Sequence, residues 1–326
     1  YYLVVAEGGT HRSHMIVAAR STSPTGPFEG SPYNPLLTHR TQIGNPIEHT
    51  GHGDLVQAPD GSWWIVFLAV RPRNFHTSFF HLGRETFLAP VQWRDDGWFV
   101  INQRQPVNLN MDVPSLSSAH PWPELPVRDD FDSPNLSFCW NFRRNPQMGC
   151  YSLSERPGYL RLNGLPAALG VIQPVAFVGR RQQHFSCCAR ASVDFTPVSP
   201  NEEAGITVLM NDDHHYDLFI TLREGKRVVV LRKQVGDIRV ETAAQPVTDG
   251  TMILEISATA ESYTFSCGHD VENLLVLGSG QARYLSSTVA GTFTGVYLGM
   301  FASGNGQACH APADYDWFEY IPLSEE

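Results

Sequence analysis

Short apolar runs, each closed by Gly, Pro, Asn or Asp, recur from Tyr1 to the C-terminus, and no stretch carries the period of a long amphipathic helix. A chain written this way builds sheets from strands joined by tight turns. Residues 1–5 (Tyr-Tyr-Leu-Val-Val) are aromatic and β-branched, and read as a buried strand. A second strand is predicted over 14–20, followed by a loop over 21–35. Residues 54–58 and 62–71 are predicted to form a hairpin around Pro59-Asp60-Gly61, with Asp-Gly as the turn signal. Residues 85–93 and 98–102 pair in the same way across Arg94-Asp95-Asp96-Gly97. Repeated sheets of this kind, with aromatics at alternate positions, fit propeller blades or a sandwich.

Between residues 108 and 128 the pattern changes. Pro114, Pro121, Pro123 and Pro126 punctuate a segment that includes Ser115-Leu-Ser-Ser118 and has little periodicity, so it reads as a linker. Beyond it, Asp129-Asp-Phe-Asp132 opens a second region. Strands are predicted there over 159–162, 185–195, 204–210, 215–222, 227–233, 252–257, 263–267, 296–302 and 313–320. Short alternating strands in that number favour a two-sheet jelly roll. The chain therefore divides into 1–107, a linker over 108–128, and a β-sandwich over 129–326.

With 326 residues, of which 42% are hydrophobic and 11% aromatic, the chain is long enough for two folded domains. Its net charge of -10 is spread without a basic stripe, which argues against nucleic acid as partner. It has no run of about 18 apolar residues of the kind a membrane-spanning helix requires. The chain starts at Tyr1 rather than Met, inside a strand, which suggests N-terminal truncation and leaves the compartment open. Cys139, Cys150, Cys187, Cys188, Cys267 and Cys309 match no zinc spacing and read as free, largely buried thiols. The oligomeric state stays open, a homo-oligomer included.

Four features could carry chemistry. Glu7 ends the first apolar run, where burial would raise its pKa towards that of a general acid, and Gly8 and Gly9 leave room for a ligand. The other reading of this stretch is a strand end with a solvated Glu and a Gly-Gly turn. In Glu48-His-Thr-Gly-His-Gly-Asp-Leu-Val56, His52 stands just before a strand with glycines on both sides, suited to a sugar hydroxyl or a metal, or simply a satisfied polar residue. Arg84, in Leu82-Gly-Arg-Glu-Thr-Phe87, enters an apolar strand and needs a carboxylate such as Glu85 or a polar ligand. Trp63, Trp64, Trp93 and Trp98 offer faces for sugar rings or for core packing.

Taken in order, the stretches Tyr1-Tyr-Leu-Val-Val-Ala-Glu-Gly-Gly-Thr10, Gly51-His-Gly-Asp-Leu-Val56, Trp63-Trp64 and Leu82-Gly-Arg-Glu-Thr-Phe87 resemble glycoside hydrolase family 43, in its β-xylosidase branch. Trp140-Asn-Phe-Arg-Arg-Asn-Pro146, Glu155-Arg-Pro-Gly158, Gly291-Thr-Phe-Thr-Gly295 and Asp314-Tyr-Asp-Trp-Phe318 resemble the sandwich appended in that branch. The resemblance implies an all-β chain: the C-terminal blades of a five-bladed propeller, then a jelly-roll, concanavalin A-like sandwich. It implies an inverting exo-β-1,4-xylosidase acting on xylo-oligosaccharides, with α-L-arabinofuranosidase activity, alone or added, as the alternative. A non-catalytic carbohydrate-binding sandwich carrying a propeller remnant is the rival of another class.

Residue by residue, the resemblance makes Glu7 the general acid, Arg84 and His52 substrate binders, and Phe293 an aromatic of the pocket wall. It implies no required cofactor, although in some relatives the histidine matching His52 sits near a divalent cation, so calcium in the propeller channel is an open expectation. The family's base and its acid-tuning Asp match no residue here and are expected upstream of Tyr1. On that expectation this chain alone does not turn over substrate, whereas a complete parent does.

Overall fold

The computed structural model describes residues 1–73, 78–112, 116, 118 and 120–324. Pro114, Ser115 and Ser117 of the expected linker lie outside the described residues. The chain forms two compact units, Tyr1–Pro123 and Glu124–Glu326, and the division falls within the proline-rich 108–128 segment.

In the first unit a three-stranded antiparallel sheet joins β1 (Tyr2–Glu7), β2 (Met15–Arg20) and β3 (Glu29–Gly30). A four-stranded meander joins β4 (Glu48–Gln57), β5 (Trp63–Val70), β6 (Glu85–Trp93) and β7 (Phe99–Ile101), in the manner of a propeller blade. Both predicted hairpins are present. Gly61 and Gly97 take φ of 86° and 77° at their turns, which explains the Asp-Gly pair at each. β5 lies inside its sheet, and Ile65, Phe67 and Ala69 pack with Ile16, Ala18, Ala89 and Phe99 in one core. Gly53 lets the two sheets approach, because a Cβ there would sit 2.6 Å from Ile16 Cδ1 and 2.7 Å from Ile65 Cδ1.

Two expectations need correction. β1 is a strand but not a buried one: Tyr2, Leu3 and Val5 are exposed, and Val4 is partly buried against the core. Among the described residues β1 is the outer strand of its sheet and pairs with β2 alone, so its apolar composition shows fitness for burial without supplying cover. β4 also begins six residues earlier than predicted, at Glu48 rather than Asp54. Its first half escapes the alternation test because its register with β5 shifts twice, between Glu48 and Gly51 and between Gly51 and Asp54.

The tryptophans act as packing. Trp64 and Trp98 are buried, and the Arg20 guanidinium lies 4.2 Å from the Trp98 ring centre. Trp93 meets Trp63 and Tyr2 edge to face, at 5.6 and 5.0 Å.

The second unit is a sandwich of two antiparallel sheets. One runs through Ile238–Pro246, Lys226–Val235, His214–Arg223, Glu203–Asn211, Tyr297–Ser303, Ala176–Arg181 and Asn141–Phe142. The other runs through Tyr151–Ser152, Leu160–Asn163, Pro312–Pro322, Cys187–Asp194, Met252–Ala258, Ser262–Gly268 and Leu275–Gln281, with Arg128–Asp129 beside Pro312–Pro322. Each of the nine predicted strands has its counterpart. Ile238–Pro246 and Leu275–Gln281 went unpredicted as outer strands, the first largely exposed, the second broken by Gly278 and Gly280, and the buried inner strand Ala176–Arg181 went unpredicted as well. Leu218, Ile220, Leu254, Phe265 and Phe318 fill the space between the sheets. All six cysteines are free, with Cys150, Cys187, Cys188 and Cys267 buried.

A buried polar network lies under the sandwich surface. Arg232 holds Glu203 with a pair of hydrogen bonds at 2.9 and 2.8 Å and donates to Asp217 at 3.1 Å. Asp217 also meets His215 Nδ1 and the Thr207 hydroxyl, both at 2.8 Å. Burial opposes charge on Asp217, yet His215, Arg232 and Thr207 together hold its carboxyl below the usual carboxylate range. Such a group stabilises the fold above its unfolded pKa and loses that contribution as pH falls. The urea midpoint of the chain should therefore drop as pH goes below about 4. Asp217→Asn should flatten that dependence and cost about 3–5 kcal/mol at neutral pH; an unchanged slope would remove Asp217 from the account.

Candidate active site

The hairpin between β1 and β2 brings Glu7 opposite Met15. To make the turn, Gly8 and Gly9 adopt φ of 78° and 71°. A Cβ on Gly8 would lie 1.9 Å from the Ser13 carbonyl oxygen, so the loop closes tightly only with glycine there. Glu7 itself is exposed. The burial expected from its place in an apolar strand is absent, for the same reason that β1 is open: among the described residues the strand has one neighbour.

Arg12 and Thr10 anchor this loop to the rest of the unit. Arg12 reaches Glu48 at the start of β4, with Nε and Nη2 at 3.2 and 3.3 Å from its two oxygens. Ser78 donates to the same carboxylate at 2.7 Å and accepts from Arg12 at 2.6 Å. Thr10 accepts a hydrogen bond from Arg84 Nη2. Glu48 is buried, so these donors satisfy a charge that would otherwise be costly. Arg84 does not pair with Glu85, which instead takes Arg71 in a two-pronged contact at 2.9 Å. Arg84 stands just before β6, partly buried, and that burial lowers its pKa.

The two register shifts of β4 place His49 and His52 in left-handed conformations, at φ 59° and 53°. His49 turns inward and packs edge to face on Phe80 at 5.2 Å, whereas His52 is exposed. His52 is thus inside an irregular strand, not at the entrance of a regular one. Arg84 and His52 both act electrostatically on His14, which places the three on one region of the unit together with the loop that follows Glu7. Phe293 belongs to the second unit, in the loop after the short helix Ser287–Ala290, with 62% of its surface exposed.

Sequence reasoning missed Glu48, His49 and His14. Arg12 and Glu48 stand 36 residues apart, and no linear pattern pairs them. Gly51 was a usable signal for His14, since a glycine in a strand marks a close approach.

An arginine with fixed donors and a histidine suit recognition of sugar hydroxyls, and a carboxyl group such as that of Glu7 is the kind that protonates a leaving oxygen. Calcium, the expectation at His52, takes six to eight oxygen ligands. Among the described residues no group of three or more His, Cys, Asp or Glu is arranged to hold a metal.

Burial, with the charges of His11, Arg12, Arg84 and His14, pushes the His49 pKa down to about 4. An NMR titration should find the His49 ring neutral until about pH 4, and the unit should lose stability as pH falls from about 6.5, where the unfolded ring takes its proton. A His49 midpoint near 6.5 would contradict its burial. Glu48→Ala should lower stability by about 1–3 kcal/mol and Glu48→Gln by less, since the amide oxygen still accepts from Ser78. Thermal unfolding checks the order, and equal losses would dismiss the hydrogen-bonding account.

Residues 1–99 match the family described as glycosyl hydrolases family 43, and residues 128–321 match the β-xylosidase C-terminal concanavalin A-like domain. The chain is 47% identical over 322 residues to a non-reducing end α-L-arabinofuranosidase of Bacteroides ovatus, covering 98% of this chain and 60% of that protein. It is 32% identical over 339 residues to a xylan 1,3-β-xylosidase of a Vibrio species, covering 98% and 61%. Among solved structures, a family 43 protein from a Bacteroides ovatus xyloglucan locus superposes with a TM-score of 0.95 at 46% identity, over 99% of this chain and 64% of that one. A xylan β-1,4-xylosidase of Bacillus halodurans superposes with a TM-score of 0.91 at 32% identity, over 98% and 62%. The chain thus spans about 60% of the length of these two curated relatives. With both of its units matched, the chain belongs to glycoside hydrolase family 43.

Proposed function

We propose that this chain supplies part of the active site of an inverting exo-glycosidase that removes a terminal pentose from an oligosaccharide. The observation that carries the reading is the 47% identity to an α-L-arabinofuranosidase over 322 residues, which favours α-L-arabinofuranosides as substrate. β-Xylosides are the second reading, favoured by 32% identity to a xylan 1,3-β-xylosidase and to a xylosidase/arabinosidase. Both sugars are compact pentoses that one small pocket can hold.

In this reading Glu7 protonates the leaving oxygen, and the Arg84 guanidinium and His52 ring hold sugar hydroxyls. Phe293 contributes an exposed aromatic ring for contact with sugar. The exposure of Glu7 fits a group that must reach a ligand, but a general acid also needs water excluded around it. Inversion needs a second carboxylate about 6.5–9.5 Å from the acid, with a water between them. We assign no residue of this chain to that base, and the proposal takes it from a longer form of the protein.

Hydrolysis of p-nitrophenyl α-L-arabinofuranoside and β-D-xyloside should be measured with the 326-residue chain and with a longer form matching the full length of the relatives. The longer form is expected to cleave the arabinofuranoside faster, and the short chain neither. Activity of the short chain would show that it contains its own base and would overturn this account of the site. In the longer form Glu7→Gln should cut turnover about 10²–10⁴-fold on substrates with poor leaving groups and less on the nitrophenyl glycosides. Equal losses on both would remove Glu7 from the acid role.

A further inference from the structure

The irregular half of β4 has to be held in place by something other than its own ladder. Between Glu48 and Asp54 the pairing with β5 slips twice, and His49 and His52 sit at positive φ, a conformation that costs free energy in a non-glycine residue. A strand distorted in this way leaves carbonyls without their ladder partners. The His49 carbonyl, at the first of the two slips, lies 3.0 Å from His14 Nδ1. A carbonyl only accepts, so Nδ1 carries the proton and the neutral ring keeps its lone pair on Nε2.

The ring also fills a seat made for it. A Cβ on Gly51 would lie 2.3 Å from His14 Cε1, 2.3 Å from Nε2 and 2.4 Å from Cδ2. Gly51 does not have positive φ, so room for the ring, not backbone freedom, is what requires glycine there. His14 is only 5% exposed, and its own backbone is fixed by the Thr38 hydroxyl, which donates to its carbonyl at 2.9 Å. Two residues on, Ile16 is fully buried in the core.

We propose that His14 is a positioning residue that locks the distorted start of β4, through the His49 carbonyl and the Gly51 seat, and thereby aims His52 into the sugar-binding region. It acts through His52 and does not itself touch sugar. The meaning given to His52 rests on the glycosidase reading; the mechanical link from His14 to His52 does not.

The test compares His14→Asn, whose side-chain amide can still donate to the His49 carbonyl, with His14→Phe, which fills the volume without a donor. In the 326-residue chain labelled at histidine, the Phe variant should move the His52 ring resonances, and the Asn variant should leave them near their wild-type positions. In a longer active form, Phe should raise KM for the pentoside about tenfold with a smaller change in kcat, and Asn should recover most of that loss. Unmoved His52 resonances in the Phe variant, or equal displacement in both, would overturn the proposal. If the Phe variant does not fold, Gly51→Ala decides, because its methyl group takes the ring's seat and should displace His52; an unmoved His52 there overturns the proposal equally. If the longer wild-type protein cleaves neither glycoside, the glycosidase reading falls, and the resonance comparison still decides the role of His14.

Discussion

A carboxylate buried at the start of β4 must find partners, and much of the first unit's functional end follows from how Glu48 finds them. Arg12 comes from the loop after β1 and Ser78 from the connection between β5 and β6, so one charge draws three segments together. The same loop carries Glu7 at its base and Thr10 against Arg84. The position of the candidate acid therefore depends on an ion pair that touches neither the acid nor any sugar. The partly exposed Arg12 limits what the pair itself contributes, but the buried Glu48 makes its absence expensive.

The sandwich contains a second buried charge cluster with a different character. Arg232, Glu203 and Asp217 are almost wholly enclosed, satisfied by one another and by His215 and Thr207. Enclosed pairs of this kind seldom add stability over an apolar alternative, since desolvation offsets most of the attraction. What they do is fix geometry. The Arg232 guanidinium, 4.3 Å from the Phe219 ring centre, ties three neighbouring strands of one sheet through directional bonds that apolar packing alone does not provide.

The strands were legible in the sequence because their alternation and their turn residues agreed. Asp60-Gly61 and Asp96-Gly97 announced two hairpins, and both glycines take the positive φ those turns require. Legibility failed where one signal was missing. Ile238–Pro246 loses its apolar-polar alternation after Glu241, and the first half of β4 has an irregular register. At the candidate site, Glu7, Arg84 and His52 were singled out by a family pattern, and their surroundings were not read. Burial of Glu7 was inferred from its neighbours in sequence, yet burial is set by neighbours in space, and β1 has one. Glu48 and His14 act through contacts 36 and 35 residues distant, which no local rule reads.

The open edge of β1 has a consequence for how this chain behaves in solution. β1 presents unpaired backbone groups along one side, flanked by the exposed side chains of Tyr2, Leu3 and Val5. Such an edge is a template for adding another strand, and the nearest identical strand belongs to a second copy. Antiparallel pairing of β1 with itself would close on a two-fold axis. A partner strand there would cover Tyr2, Leu3 and Val5 together with the unpaired backbone groups.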